Sequence, residues 1–152
     1  MKTTLCFRSG RRGLTAAATG SAVIASDQVS KAAARASGGR STGATLPVRN
    51  SGLLSGVGVG GRFVVIALAV VVLVAFGLVA AERVRSGRLP AWAAGLLLGG
   101  AVANLADRVV LGSVRDFLVV SGWVVNLADI AIVVGLLAYA WGAALHSRRA
   151  AA

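Results

Sequence analysis

Long apolar runs separated by short charged segments dominate the chain. Residues 63–81 are uncharged and consist mainly of Val, Leu and Ala. A second uncharged run covers 89–106 and ends at Asp107, and a third covers 123–145 with Asp129 as its only charge. A helix needs about 20 apolar residues to cross a bilayer, so each of these runs is long enough to span a membrane.

The N-terminal part of the chain contains a fourth, less apolar run. Residues 14–34 follow a basic segment at 1–13 and include Asp27 and Lys31. We predict a transmembrane helix here that depends on support from neighbouring helices. A basic start followed by a short apolar run and small residues is also typical of a cleavable secretory signal peptide, and this alternative stays open.

The runs together predict an all-α polytopic membrane protein that forms a single membrane domain over 1–152. The four predicted transmembrane helices lie at approximately 14–34, 63–81, 89–107 and 123–145. The connections at 35–62 and 108–122 are predicted to be extracytoplasmic. The first is rich in Gly and Ser, so we expect a small irregular or β-containing loop region there.

An even number of spans places both termini on the same side of the membrane. Lys and Arg are packed into shorter segments on that side, which favours a cytoplasmic location for the termini. The sequence therefore predicts a multi-pass protein of the cell membrane with both termini in the cytoplasm.

The composition supports a membrane location. Hydrophobic residues make up 57% and charged residues 14% of the chain, whereas soluble domains are usually about 45–50% apolar and roughly 25% charged. The net charge of +11 comes mainly from arginines, which lie at the ends of apolar runs and in the loops, where they suit anionic membrane lipids. Aromatic platforms for stacking bases are lacking, so no nucleic-acid partner is expected. A single cysteine excludes an internal disulfide and a thiolate metal cluster.

Most of the candidate chemistry lies in one stretch, Leu96 to Asp129. It holds three of the four aspartates of the chain, Asp107, Asp116 and Asp129. An ionisable residue at membrane depth costs about 2.5–3.5 kcal/mol on insertion scales and is a functional-site candidate by default. On the predicted topology these aspartates gather with Asp27 at the extracytoplasmic face.

Asn104, Asp107 and Arg108 are spaced i, i+3 and i+4, so they are predicted to share one helix face. A purely structural interpretation is equally open. In it, this face packs against another helix and ends in a local ion pair between Asp107 and Arg108.

Asn126 and Asp129 repeat the i, i+3 spacing at the start of the last helix. Asp129 needs a partner inside the membrane, and we predict that Asp116 is this partner. Two carboxylates that share a site hold one proton between them. Such a pair can act on a bound water, with one member as general base and the other as general acid.

Four segments resemble, in order, the motifs of the lipoprotein signal peptidases (signal peptidase II). GGAVANLADRVVLGSVRDF at 99–117 resembles their G-G-A-x-G-N-x-x-D-R-x-x-x-G-x-V-x-D-F motif, and VVNLADIAI at 124–132 resembles F-N-x-A-D-x-x-I. SDQVSK at 26–31 is similar to the D-Q-x-x-K element of the first helix, and RNSG at 49–52 to an N-x-G loop element. The resemblance therefore covers nearly the whole chain.

This resemblance implies an intramembrane aspartyl endopeptidase of the bacterial cell membrane. It would remove signal peptides from lipid-modified prolipoproteins by cutting before the diacylglyceryl-cysteine. By motif position, Asp116 and Asp129 are the implied catalytic pair. The implied substrate-binding or supporting residues are Asn104, Arg108, Asn126, Asp107, Asn50 and Asp27. The resemblance further implies that the enzyme needs neither a metal nor a cofactor and that globomycin inhibits it. We expect the protein to be a monomer in contact with membrane lipids.

The chain departs from the family pattern in four places. Ala103 replaces the usual glycine before the motif asparagine, and Val125 replaces the usual phenylalanine. Arg115 lies where a small or apolar residue usually precedes the catalytic aspartate, and the 116–129 connection is shorter than is common. No implied catalytic group is lost. The departures leave undetermined which substrates the protein accepts and how the outer rim of the site is built.

Two functions from other classes also fit membrane carboxylates. One is a small proton- or cation-coupled transporter, which needs polar groups on both sides of the membrane midplane. The other is an assembly subunit whose polar residues only hold helices together. An assembly role would tolerate Asp129→Asn, whereas a catalytic pair would not.

Overall fold

The computed structural model describes residues 2–37, 45–51 and 61–150. The helices in this part of the chain are α1 (Lys2–Ala36), α2 (Arg62–Arg85), α3 (Ala91–Leu111) and α4 (Leu127–Ala150). The strands are β1 (Thr45–Asn50), β2 (Val114–Val120) and β3 (Trp123–Val125). The protein is therefore mostly helical, with a small sheet between helices.

Three helices in the described part of the chain are long and apolar enough to cross a membrane. They are Arg62–Arg85, Ala91–Leu111 and Leu127–Ala144. On α2, large apolar side chains such as Phe63 and Leu78 are mostly exposed, as expected for a helix that faces lipid. Helix α1, where the sequence predicts the first span, is not among these three, and it carries Asp27 and Lys31 on its inner face.

Helix α3 forms the centre of the bundle because its glycines let two other helices approach its backbone. A Cβ atom on Gly99 would lie 2.7 Å from the Cα atom of Gly20 on α1. A Cβ atom on Gly100 would lie 2.5 Å from the carbonyl oxygen of Ala128 on α4. Small residues at membrane-helix interfaces allow such close packing, and here they bring both α1 and α4 against the backbone of α3.

The sheet is antiparallel, with strand order β1-β2-β3. Ser121 and Gly122 join β2 to β3, and both have positive φ (49° and 85°), which is typical of a type I′ hairpin turn. The sheet bears out the expected β-containing loop region. The predicted start of the last helix at residue 123 is wrong, because Trp123–Val125 pair with β2 and α4 begins only at Leu127.

Helix α3 continues beyond its predicted end at residue 107, to Leu111. Gly112 then ends it in the left-handed conformation (φ 75°), and its N–H donates to the carbonyl of Arg108 at 3.1 Å. This is a common helix C-terminus, and glycine adopts it without a Cβ penalty. The chain reverses here, so β2 runs back past the last turns of α3.

We expect Gly99→Ala to destabilise the protein by about 1–3 kcal/mol, because the added methyl group would overlap the backbone of α1. The free energy of unfolding in mixed micelles measures this effect. Gly13→Ala is the matched control, since a Cβ atom on Gly13 meets nothing within 4 Å. The control should be neutral or stabilising, because Ala favours helix over Gly by about 1 kcal/mol. Equal stability of the two variants would contradict close contact between α1 and α3.

Candidate active site

The structure brings the eight predicted site residues together at one end of the helix bundle. They come from six parts of the fold: α1, β1, α3, β2, the residue before α4, and the first turn of α4. The eight residues are Asp27, Asn50, Asn104, Asp107, Arg108, Asp116, Asn126 and Asp129. Five of them line one cavity: Asn50, Asn104, Arg108, Asp116 and Asp129. The other three join this group through hydrogen bonds or ion pairs.

Asn126 and Asp129 form a reciprocal cap at the start of α4. The Asn126 Oδ1 atom accepts from the N–H of Asp129 at 2.9 Å, and the Asn126 N–H donates to Asp129 Oδ2 at 3.2 Å. This is the geometry of a capping box, in which each end satisfies a backbone donor of the other. The i, i+3 spacing therefore fixes the Asp129 carboxylate against the N-terminus of the helix.

Asp116 is buried on β2 and accepts hydrogen bonds from two amide side chains. Asn126 Nδ2 donates to Asp116 Oδ1 at 2.6 Å, and Asn50 Nδ2 donates to Asp116 Oδ2 at 3.2 Å. Because Asn126 also bonds Asp129, a single fully buried asparagine joins the two candidate catalytic carboxylates.

Asn104 holds the second oxygen of Asp129. Its Nδ2 atom donates to Asp129 Oδ1 at 2.7 Å, while its Oδ1 atom accepts from Lys31 Nζ at 3.3 Å. Lysine is only a donor, so this contact requires the oxygen of the Asn104 amide to face α1. The amide nitrogen is thereby directed at Asp129.

Four charged residues with alternating sign form a buried network behind the site: Asp27, Lys31, Asp107 and Arg115, called here the buried charge network. Lys31 Nζ lies 2.7 Å from Asp27 Oδ2 and 3.1 Å from Asp107 Oδ2. Arg115 Nη2 lies 2.7 Å from Asp107 Oδ1. Each charge has an opposite neighbour, as buried charges require. The network links α1, α3 and β2.

The pairing of Asp107 differs from the sequence-based expectation. The local alternative paired it with Arg108, but its ionic partners are Lys31 and Arg115. Neighbouring residues on a helix do not face each other, so Asp107 and Arg108 point to different sides of α3. Arg108 instead lines the cavity beside Asn104, and its Nη1 atom donates to the Asn104 carbonyl at 3.4 Å.

Arg115, a departure from the resembled motif, is partly buried and bonds residues of two helices. Its backbone N–H donates to Asp107 Oδ2 at 3.2 Å, and its Nη2 atom donates to Gln28 Oε1 at 2.6 Å. The hydrogen bond to Asp107 raises the pKa of Arg115 above its usual value, so the guanidinium stays a cation. The residue directly before Asp116 is thus tied to both α1 and α3.

Asp27 reaches the start of α4 from α1. Its Oδ1 atom accepts from the backbone N–H of Ala128 at 3.0 Å. The first N–H groups of a helix lack partners within the helix, and a negative charge there is stabilised by the helix dipole. Asp27 therefore supports the turn that carries Asp129, while its other oxygen bonds Lys31.

Asp116 and Asp129 both line one cavity of about 440 Å³. Its other polar lining residues are Asn50, Asn104 and Arg108, and its apolar lining residues include Ala69, Val72, Leu73, Leu105, Ile132 and Val133. The cavity thus combines two carboxylates and a cation with walls contributed by membrane helices. Such a site can hold a water between the carboxylates and an apolar chain alongside them.

The predicted site residues did not include Lys31, Gln28 or Arg115, although Gln28 and Lys31 belong to the segment at 26–31 that is similar to the D-Q-x-x-K element. A signal existed for Lys31, since Asp27 and Lys31 are spaced i, i+4 on one helix face. No local pattern reveals Arg115, whose partners are distant in sequence. Within residues 2–37, 45–51 and 61–150, no three His, Cys, Asp or Glu side chains gather as a metal site requires.

We expect Lys31→Met to destabilise the protein by about 3–5 kcal/mol, because it leaves two buried carboxylates without their shared cation. Arg35→Met, one turn later on an exposed position of α1, is the matched control and should change stability by less than about 0.5 kcal/mol. Chemical unfolding in mixed micelles compares the two. A Lys31→Met protein as stable as the control would show that the network is not needed for folding.

Comparison with known proteins gives one consistent result. The family model described as signal peptidase (SPase) II matches residues 20–145. A lipoprotein signal peptidase of Halothermothrix orenii is 38% identical over 98 residues, which are 62% of this chain and 67% of that protein. A lipoprotein signal peptidase of Caulobacter vibrioides is 34% identical over 143 residues, which are 83% of this chain and 84% of that protein.

Two solved structures, each described as a bacterial membrane enzyme, share the fold. One has a TM-score of 0.66 at 23% identity and covers 81% of this chain and 83% of its own. The other has a TM-score of 0.67 at 22% identity and covers 81% of this chain and 88% of its own. At this level of identity the similarity concerns the fold alone.

Proposed function

Because the chain belongs to the signal peptidase II family of aspartic-type membrane endopeptidases, we propose that it cuts lipid-modified prolipoproteins before the diacylglyceryl-cysteine, with Asp116 and Asp129 as the catalytic pair. The match to the family model over residues 20–145 and the similar lipoprotein signal peptidases confirm the predicted family. The observation that carries the proposal is the meeting of these two carboxylates at one cavity with apolar walls.

In the proposed reaction, the two carboxylates share one proton and hold a water between them. The ionised carboxylate takes a proton from the water, and the water oxygen attacks the carbonyl carbon of the peptide bond that is cut. The protonated carboxyl group gives its proton to the carbonyl oxygen. The C–N bond then breaks: the departing nitrogen receives a proton from the protonated carboxyl group, and a hydroxyl group of the tetrahedral intermediate gives its proton to the ionised carboxylate, so the pair again holds one proton. The new carboxyl group stays on the signal peptide and the free amine on the cysteine.

The amide side chains act by positioning the pair. Asn126 bonds both aspartates, while Asn50 holds Asp116 and Asn104 holds Asp129. Fixed donors keep each carboxylate in one orientation, so little reorganisation is needed when water and substrate arrive.

The rest of the cavity suits a lipidated peptide. Ala69, Val72 and Leu73 of α2 face Leu105 of α3 across the apolar part, where an acyl chain or a signal-peptide side chain would be buried. Arg108 lies at the polar part beside Asn104, within reach of a substrate carbonyl group. We assign Arg108 to substrate binding on this basis.

We further propose that α1 is a fourth span, so that both termini are cytoplasmic. Its polar residues Asp27 and Lys31 are neutralised by partners on α3 and α4, and its Gly20 packs directly on Gly99. A helix that contributes to the site in this way has to remain part of the working protein. The site residues gather at one end of the bundle, whereas a transport path would need polar groups on both sides of the midplane.

We expect Asp116→Asn and Asp129→Asn each to lower the cleavage rate by about three orders of magnitude or more. Asparagine nearly keeps the shape of aspartate but cannot carry the shared proton. The cleavage rate is measured with purified protein and a synthetic lipidated prolipoprotein, and the products are separated on a gel. Glu82→Gln is the control. It removes an exposed carboxylate near the C-terminal end of α2, away from the candidate active site, and should leave the cleavage rate unchanged.

The same assay separates the catalytic pair from the buried charge network. Asp107→Asn should lower the free energy of unfolding, whereas the cleavage rate of the folded fraction should change little. The reason is that the ionic partners of Asp107 are the cations Lys31 and Arg115. If folded Asp116→Asn protein keeps substantial turnover while folded Asp107→Asn protein is inactive, Asp129 has a different catalytic partner.

Cysteine labelling tests the proposed topology. In a Cys6→Ser background, a cysteine at Ser121 in the exposed β2–β3 turn should react only with reagent on the extracytoplasmic side. A cysteine at Ser86, exposed after α2, should react only from the cytoplasm. Labelling of both positions from one side would rule out the proposed arrangement of spans.

A further inference from the structure

A second cavity of about 620 Å³ lies between α1, α2 and α3, at the end of the bundle away from the candidate active site. Its walls are small or apolar: Gly13, Ala16, Gly77, Ala80, Ala81, Ala94 and Leu98. This volume is larger than that of the active-site cavity and is within the range of about 300–1,000 Å³ typical of ligand sites. The proposed chemistry does not use it.

The cavity cannot be an extension of the active site. Arg12 lines it on α1, whereas Asp27 of the same helix supports Asp129. Fifteen residues of helix separate these two positions, which corresponds to about 22 Å along the axis. On the proposed topology the cavity therefore opens at the cytoplasmic leaflet.

Two arginines stand at the rim of this cavity. Arg12 Nη1 donates to the carbonyl oxygens of Val84 at 2.9 Å and Arg85 at 3.2 Å, so its guanidinium is anchored across the gap between α1 and α2. A guanidinium has five N–H donors, and these two bonds use only those on Nη1. Within the described residues, the donors on Nη2 and Nε of Arg12 bond no protein group. Arg85 is exposed at the same rim.

The surrounding charge is strongly positive. The segment 82–88 that leads from α2 to α3 contains three arginines and one acid, Glu82. Of these arginines, Arg83 turns towards α4, with its guanidinium carbon 5.2 Å from the ring centre of Tyr139. Arg85 lines the cavity, and Arg88 is exposed outside it. An occupant therefore has to combine an apolar part for the walls with an anionic part for the rim.

We propose that this cavity binds one anionic phospholipid of the cytoplasmic leaflet. The phosphate lies between Arg12 and Arg85, where bidentate donors recognise phosphate oxygens. An acyl chain fills the space against Ala16, Gly77 and Ala81, whose small side chains leave room for it. The lipid thus completes the contact between α1 and α2, which the Arg12 hydrogen bonds bridge at this end.

Lipid retention by full-length protein tests the proposal. Purified protein in detergent is mixed with equal amounts of phosphatidylglycerol and phosphatidylcholine, and native mass spectrometry measures the retained lipid. We expect one phosphatidylglycerol per protein, in preference to phosphatidylcholine. Equal retention of the two lipids would overturn the proposal, because only one of them carries a net negative charge.

Three variants locate the site. Arg85→Gln should reduce phosphatidylglycerol retention about fivefold, the effect of one surface cation on an anionic lipid. Arg88→Gln removes the same charge from the same segment outside the cavity and should have a much smaller effect. Gly77→Leu should block retention without changing any charge, since a Cβ atom there meets only Leu98 Cδ2 at 3.9 Å and a longer side chain enters the cavity.

Other results would overturn the proposal. Equal losses in Arg85→Gln and Arg88→Gln would mean that lipid is attracted by general surface charge. Full displacement of the lipid by millimolar inorganic phosphate would mean that the rim binds phosphate alone. Arg12→Gln would not separate lipid binding from folding, because Arg12 also bonds the last carbonyl groups of α2. The readout is independent of peptide cleavage, so Asp116→Asn protein should retain the lipid as the unaltered chain does.

Discussion

The ion pairs of Lys31 are the constraint on which the site depends. Lys31 and Asp27 are fully buried, and a buried charge without a partner costs several kcal/mol. Lys31 lies one turn after Asp27 on α1, so the helix has to present this pair to Asp107, and the contact sets the rotation and height of α1 against α3. Asp107 then binds Arg115, and this contact holds the first residues of β2 against the bundle. The position of Asp116 follows from that of Arg115.

The four aspartates fall into two pairs with different partners. Asp27 forms an ion pair with Lys31, and Asp107 forms ion pairs with Lys31 and Arg115. Amide groups of Asn50, Asn104 and Asn126 donate hydrogen bonds to Asp116 and Asp129. Amide donors fix the direction of a carboxylate without supplying a positive charge. The first pair thus links α1, α3 and β2 through ion pairs, while the second pair faces the cavity that Arg108 also lines.

Close packing makes this arrangement possible. Gly99 lets α1 approach the backbone of α3, and Gly100 lets α4 approach it next to α1. Only at such short distances can the Lys31 side chain reach Asn104, and Asp27 reach the N–H of Ala128. Where small residues are not matched by a facing helix, between α1 and α2, a cavity remains with arginines at its rim. The same composition therefore produces contact in one place and a lipid-sized space in another.

The sequence by itself determined the apolar helices, the family and the residues of the candidate pair. Helix length follows from local hydrophobicity, and the Asn126–Asp129 cap follows from i, i+3 spacing, so both can be read along the chain. The β2–β3 hairpin was also readable, since a Ser-Gly dipeptide between β-branched residues indicates a turn. Reading residues 123–125 as helix was wrong because pairing with β2 outweighed their apolar character.

Only the tertiary structure decided which charges meet. Asp107 binds Lys31 and Arg115 instead of the adjacent Arg108, because neighbours on a helix point in different directions and Lys31 lies on another helix. Arg115 is likewise an unexplained departure in the sequence and a bridge between three elements in the fold. Electrostatic partners depend on distances across the bundle, and such distances are set by packing, which no local pattern contains.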